Sequence, residues 1–346
     1  MKEAQVASFF CNKIYILLIT NTVNKYLSKI KELEKLIGNT PFIRIRAKYK
    51  SRLVNVYAKL EWYNFTGSIK DRVALSIIKN CYKDGLISPS QEIVEVTSGN
   101  TGISFAGIGN YLGHKVSIIM PDWLSKERKS LLKMYGANLV LVSKENGGFN
   151  GCFKVMSEYK SAFKPLQFEN KYNSLCHYKT TGKEICDSLV KHKITADAFV
   201  CGVGTGGSLI GVAKALKETS ASIKICAVEP KSSPILKEKK KVGSHLIEGI
   251  SDEFVPPIYE ENIVSEILDA DNEESILMAQ LLCKKLGLGV GISSGANFIS
   301  ALKSGYKNVV TIFADDNKKY TSTKLSSSIN IDLLNSVELL DFKVLN

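Results

Sequence analysis

From about Val54 onward, short β-branched runs alternate with amphipathic segments of helical length. That rhythm constrains the fold more than any other feature, because parallel strands cannot be joined by tight turns and need a helical crossover. The spacing predicts strands at Val54–Leu60, Ile93–Val96, Lys115–Met120, Asn138–Val142, Ala198–Cys201, Lys224–Val228 and Asn308–Phe313. Between them, Ser125–Tyr135 opens on a capping serine and stops before Gly136, and Glu273–Leu286 carries apolar residues at helical spacing. The expected class is α/β, and 346 residues suffice for one large domain or two interlocked ones. No repeat or low-complexity linker separates two halves.

A hydrophobic fraction of 45% with 23% charged residues excludes extensive disorder. The formal charge of +12 raises the question of nucleic acid or a membrane surface, yet the lysines are scattered and only Lys237–Lys241 forms a run. A lysine-rich solvated surface is expected, with neither nucleic acid nor membrane as partner. The eight cysteines include no CxxC pair, so neither a zinc site nor a redox pair is expected. Reduced, partly buried thiols point to the cytoplasm. Val6–Thr20 is fairly apolar but interrupted by Asn12 and Lys13, and fits neither a span nor a signal peptide. Residues 1–32 are read as an extension, a helical arm packing on a partner subunit.

Open α/β sheets gather ligands at the carboxyl ends of strands, beside helix amino termini. Three loops fall there. Thr97-Ser98-Gly99-Asn100-Thr101-Gly102 follows a strand with hydroxyls and backbone N–H groups suited to a carboxylate. Gly202-Val203-Gly204-Thr205-Gly206-Gly207-Ser208 is a phosphate cradle; it also satisfies GxGxxG, with Glu229 closing the next strand, so a dinucleotide-dependent dehydrogenase competes. Gly291-Ile292-Ser293-Ser294-Gly295 opens a helix, where a hydroxyl is either an N-cap or a neutral partner for a ring nitrogen. Upstream, Asn64–Arg72 puts Lys70 in a Gly/Ser-bearing turn that opens a helix. Burial and the positive helix end both depress a lysine pKa and free its lone pair for Schiff-base chemistry. A lysine, a phosphate cradle and a ring partner together indicate pyridoxal phosphate, which the dinucleotide reading leaves unexplained.

From about Leu33 to Tyr320 the chain resembles the cysteine synthase and cystathionine β-synthase family, of the tryptophan-synthase-β type (fold type II). Gly38-Asn39-Thr40-Pro41, Lys59-Leu60-Glu61, Ser68-Ile69-Lys70-Asp71-Arg72, Thr97–Gly102, Gln167-Phe168, Thr180-Thr181-Gly182, Gly204–Ser208, Ala227-Val228-Glu229-Pro230 and Gly291–Gly295 carry the likeness. The resemblance implies two three-layer αβα domains, each containing a parallel sheet, in a homodimer. The large domain would comprise 33–66 and 164–325, and the smaller, mobile substrate domain 67–163 with Lys70 at its edge; 326–346 would be a peripheral tail. It also implies that Lys70 carries the cofactor, Asn100 bonds its 3′-oxygen and Gly204, Thr205, Gly206, Gly207 and Ser208 hold its phosphate. Ser293 would meet the pyridine nitrogen, and Thr97, Ser98, Thr101 and Gln167 would grip the substrate carboxylate.

The chemistry so implied is loss of a Cβ substituent from an amino acid, giving an aminoacrylate to which a second nucleophile adds. Relatives carry small residues, or Tyr-Asp, where this chain reads Gly249-Ile250-Ser251-Asp252-Glu253-Phe254-Val255-Pro256. An ionised Asp252 repels incoming hydrosulfide and can take a proton from water. The leading expectation is therefore a cysteine-consuming lyase that releases hydrogen sulfide and forms serine. A cysteine synthase using O-acetylserine and lanthionine formation are the alternatives, and a non-catalytic sensor lies outside the class; a solvent-facing Asp252 would remove the preference. Lys171 stands where relatives commonly have proline, so a less rigid turn is expected.

Overall fold

The computed structural model describes residues 24–97, 99–327 and 334–345. A first helix, α1 (24–33), lays Tyr26, Ile30 and Leu33 into the same apolar cluster as Ile77, Ile78 and Tyr82 of α2 (Lys70–Lys83), with the Tyr26 and Tyr82 rings 5.1 Å apart. This part of the extension therefore packs on its own chain; residues 1–23 lie outside the described residues. Between the two helices, β1 (Phe42–Tyr49) and β2 (Arg52–Leu60) form an antiparallel hairpin in register Tyr49↔Arg52. Lys50 and Ser51 both have positive φ, 47° and 68°, as the tight turn that matches strand twist demands.

Three strands then form their own parallel sheet: β3 (Ile93–Val96), β4 (Val116–Pro121) and β5 (Asn138–Val142), with α3 (Asn100–Leu112) and α4 (Lys126–Met134) as crossovers and α5 (Gly148–Glu158) following. The expected serine cap holds, since Ser125 accepts from the Arg128 N–H. Period-2 alternation sends Ile118 and Met120 to the cluster under α2 and α3, and Ile119 to the cluster shared with Cys152 and Met156 of α5. Both faces are thus covered, making three layers.

The chain continues through α6 (Lys171–Cys176), a π-helical turn (His177–Gly182) and α7 (Lys183–Lys191). It then builds β6 (Ala198–Gly202), α8 (Gly207–Thr219), β7 (Lys224–Pro230), the short α9 (Ile235–Glu238), β8 (Glu266–Ala270), α10 (Asn272–Leu286), α11 (Ile292–Lys303), β9 (Asn308–Phe313) and β10 (Val337–Val344). These strands join the hairpin in one sheet, ordered β10-β1-β2-β9-β6-β7-β8. From β2 to β8 the pairs are parallel, whereas the β10–β1–β2 edge is antiparallel. Val56 and Val200 face α10 and α11, while Tyr57, Phe199 and Ile225 face α7 and α8, so this sheet also lies between helical layers. The segment expected to be a tail instead contributes edge strand β10, its Arg46–Asp341 ion pair tying it to β1. Among the described residues no helix is long and apolar enough to cross a membrane.

Candidate active site

Lys70 is the first residue of α2, and the turn before it is closed by its own neighbours. Asp71 accepts from the Thr66 N–H at 2.7 Å and the Thr66 hydroxyl at 2.5 Å, fixing 66–71 as one loop. Arg72 sits in a buried ionic knot assembled from four separated motifs. Its guanidinium bonds Glu61 at 2.7 and 2.9 Å and Glu184 at 2.6 and 2.8 Å. Lys59 pairs with Glu184 at 2.7 Å and also donates to the Thr40 carbonyl, while the Thr40 hydroxyl and Asn64 amide donate to Glu61 at 2.7 and 2.8 Å. Two cations balance two carboxylates, so burial is tolerated.

One cavity is lined by Lys70, Thr97, Asn100, Thr101, Gln167, Gly204, Thr205, Gly206, Ser208, Asp252 and Ser293. Ser98 lies outside the described residues, and Gly207 does not line the cavity. The Thr101 hydroxyl donates to Gln167 Oε1 at 2.7 Å, joining the β3–α3 loop to the 167 loop. Glycines are required at the cradle: a Cβ on Gly204 would stand 2.4 Å from the Gly249 carbonyl, and Gly206 has φ +85°. That close approach, with the Ser251 N–H donating to the Val203 carbonyl at 2.8 Å, lays the 249–252 segment on the cradle, so that Asp252 lines the same cavity as Lys70. The Phe168 and Phe254 rings meet edge to face at 5.0 Å, tying the 167–173 segment to the one that carries Asp252. At Lys171 the expected loosening is opposed locally, since Asn170 caps α6 by accepting from the Tyr172 N–H at 3.0 Å.

Electrostatically the cavity pairs a depressed lysine with an elevated carboxyl. Burial lowers the Lys70 pKa, against the opposing pull of Asp252; burial raises Asp252, against Lys70 and His245. Asp252 makes no hydrogen bond to any described residue, so its carboxyl is available to the cavity. The nearby thiols of Cys176 and Cys201 are pushed up to about 12 by burial and stay protonated beside Lys70.

The sequence reading missed several residues here. Asp315, just past β9, accepts from Asn100 Nδ2 and the Tyr320 hydroxyl, each at 2.7 Å, while Lys319 donates to Asn100 Oδ1 at 2.9 Å. These contacts fix which end of the Asn100 amide donates. The strand-end rule that located the three loops also points at Asp315, one β9 residue-pair beyond Phe313. At the mouth, Arg128 of α4 forms an ion pair with Glu248, linking the three-stranded sheet's layer to the loop carrying Asp252. Glu95, buried on β3, accepts the Gln167 N–H at 3.2 Å and the Val96 N–H at 3.0 Å, and burial pushes it up to about 8. A pKa raised on folding gives stability that is complete below the unfolded value and is lost as pH rises toward the folded one. From pH 6 to 7.5 that single proton should lower stability by roughly 2 kcal/mol, and Glu95→Gln should flatten this slope in urea titrations. An equal slope in both proteins would contradict the assignment.

The residues present fit pyridoxal phosphate. An amine of lowered pKa, a glycine cradle that no side chain could enter, an oriented amide donor and a helix-opening serine share one enclosure. No cluster of metal-ligating side chains occurs among the described residues. Residues 33–315 match the family model described as pyridoxal-phosphate dependent enzyme. The cysteine synthase of Staphylococcus aureus is 38% identical over 306 residues, covering 86% of this chain and 97% of that protein. A hydrogen sulfide-producing enzyme of Fusobacterium nucleatum superposes with TM-score 0.88 at 44% identity, covering 92% of this chain and 99% of that one. An aspartate-to-asparagine variant of that enzyme, solved with an α-aminoacrylate intermediate, superposes with TM-score 0.86 at 44% identity and covers 90% and 97%. The dinucleotide reading falls with these matches, and the chain belongs to the pyridoxal-phosphate dependent enzymes of the cysteine synthase and cystathionine β-synthase type.

Proposed function

We propose that the chain cleaves the Cβ–S bond of L-cysteine, releasing hydrogen sulfide, and adds water at Cβ to give L-serine. The observation that carries this is the Asp252 carboxyl, unpaired and facing the cavity that holds Lys70. Pyridoxal phosphate, when bound, supplies an aldehyde for the substrate amine and an electron-withdrawing ring. Lys70 would hold that aldehyde between turnovers, and its amine, once free, would take the Cα proton. Thr97, Ser98, Thr101 and Gln167 would hold the substrate carboxylate, Asn100 would donate to the cofactor's 3′-oxygen, and Gly204–Ser208, with Gly207 as a packing position, would hold the phosphate. Ser293, which lines the same cavity, would meet the ring nitrogen. The smaller unit, 67–163, closes over substrate, with the Arg128–Glu248 pair across its mouth.

Asp252 decides the second nucleophile. When ionised it takes a proton from neutral water and repels hydrosulfide. Its elevated pKa means that serine formation should rise with pH on a limb displaced above the ordinary carboxylate range. Asp252→Asn should remove that limb and cut serine formation by about 10²-fold or more while sparing sulfide release in a first turnover. The Fusobacterium protein supports the scheme by its described activity, and its aspartate-to-asparagine variant holds an α-aminoacrylate.

The decisive assay incubates holoenzyme with L-cysteine alone, measuring sulfide and identifying the amino-acid product. Sulfide with serine supports the proposal. Sulfide with lanthionine makes a thiol the nucleophile, and little sulfide beside rapid cysteine formation from O-acetylserine makes the chain a cysteine synthase, the name its Staphylococcus relative bears.

A further inference from the structure

Behind the glycine cradle lies a helix face that neither the motif nor the proposed reaction uses. Asn173 on α6 and His177 at the start of the π-helical turn stand one helical turn apart, both wholly buried, against the amino end of α8. Each meets a cradle hydroxyl. Asn173 Nδ2 lies 2.9 Å from Thr205 Oγ1 and 2.7 Å from the Gln167 carbonyl. His177 Nε2 lies 3.2 Å from Ser208 Oγ, and its Nδ1 lies 3.0 Å from Thr181 Oγ1. The approach is close enough to exclude side chains opposite: a Cβ on Gly207 would stand 2.0 Å from Asn173 Oδ1, and one on Gly211 would stand 2.6 Å from His177 Cβ.

Donor and acceptor roles follow from hydrogen-bond directionality. The Gln167 carbonyl can only accept, so the atom facing it is the Asn173 NH₂, whose second proton goes to Thr205. With a lone pair of Thr205 so occupied, its own proton is free for the cavity. Ser208 likewise has one proton; if that proton goes to a phosphate, His177 must donate from Nε2 and accept the Thr181 proton at Nδ1. Burial, with the Lys70 and Arg72 charges, lowers the His177 pKa well below the usual histidine value, against Glu184, so the imidazole stays neutral and keeps one acceptor nitrogen. A π-turn is a common device for re-aiming side chains at a functional site, and here it places Thr181 beside Nδ1.

The geometry points to Asn173 and His177 as positioning residues: they are a second layer that fills the acceptor side of Thr205 and Ser208, so that both hydroxyls donate to the cofactor phosphate. The inference rests on Gly204–Ser208 being the phosphate cradle. Charge-assisted donation is the stronger kind of hydrogen bond, and fixing the hydroxyl rotors beforehand removes the freedom they would lose on binding.

Pyridoxal phosphate dissociation constants, measured by equilibrium dialysis, and the ³¹P resonance of bound cofactor test it in a double-mutant cycle. Ser208→Ala and His177→Ala should each weaken cofactor binding about tenfold and move the resonance in the same direction. The double variant should bind no more weakly than Ser208→Ala alone, because histidine acts only through that hydroxyl. His177→Gln, which keeps a donor near the Nε2 position, should restore most of the affinity, guarding against a loss due to misfolding. ¹⁵N-histidine spectra of the holoenzyme should show His177 protonated at Nε2. Additive losses in the double variant, or a proton on Nδ1 instead, would overturn the relay while leaving the cradle intact. Unchanged affinity in Ser208→Ala would overturn the cradle contact and the relay with it.

Discussion

Replacing Lys70 by alanine is expected to lower turnover of L-cysteine by at least about 10³-fold, since in the proposed reaction covalent anchoring and proton abstraction at Cα both depend on one amine. The position is prepared for this by structure. Lys70 opens α2, its loop is clamped by Asp71, and burial lowers its pKa despite the attraction of Asp252. Borohydride treatment separates the two losses from general damage. In the native holoenzyme it should fix cofactor mass to the peptide containing Lys70, and in the alanine variant it should fix none. Cofactor retained on another lysine, or turnover within tenfold of native, would remove Lys70 from its role. The variant should fold normally, because Lys70 makes no side-chain hydrogen bond to the described residues, whereas its neighbours Asp71 and Arg72 do.

Most of the cavity lining was legible because loop chemistry is local. A strand end followed by Gly, Ser, Thr or Asn and then a helix states its own geometry, and β3, β5 and β9 lie where the β-branched runs predict them. What escaped was of two kinds. Strand β1 alternates Ile43-Arg44-Ile45-Arg46, a readable pattern that lies before the parallel rhythm begins; β8 is five residues long, and β10 is half-exposed at an edge, where burial leaves a weak pattern. The second kind is partnership across distance. Asp315, Asn173 and His177 are ordinary polar residues in sequence, and only the packing of α6 on α8, or of 315–320 on α3, gives them their contacts. Asp252 was singled out from the sequence, but its orientation came from backbone contact between Gly249 and Gly204, which no side-chain pattern records.

The ionic knot under Lys70 carries the largest expected effect on stability. Thr40, Lys59, Glu61, Arg72 and Glu184 come from motifs that are far apart in sequence, and they meet in one neutral, buried network. Arg72→Ala would leave Glu61, wholly buried, without its bidentate partner and Glu184 with Lys59 alone. Breaking a buried pair from one side costs about 3–5 kcal/mol, much of it from the stranded charge. Arg72→Lys should recover only part, because an ammonium cannot span two carboxylates with a planar fork. The pH dependence identifies the cause. In the native protein Arg72 and its neighbours hold Glu61 and Glu184 below the usual carboxylate range, so their stabilisation is present at neutral pH and is lost as pH falls through those depressed values. In Arg72→Ala the stranded carboxyls rise instead and bind protons more readily folded than unfolded. The stability gap between native and variant, measured by urea titration, should therefore narrow steadily from pH 7 to pH 4; a constant gap would mean that lost packing, not stranded charge, is the cost. Because Arg72 lies in the first turn of α2, the same variant should also lose activity at pH 7 through displacement of Lys70.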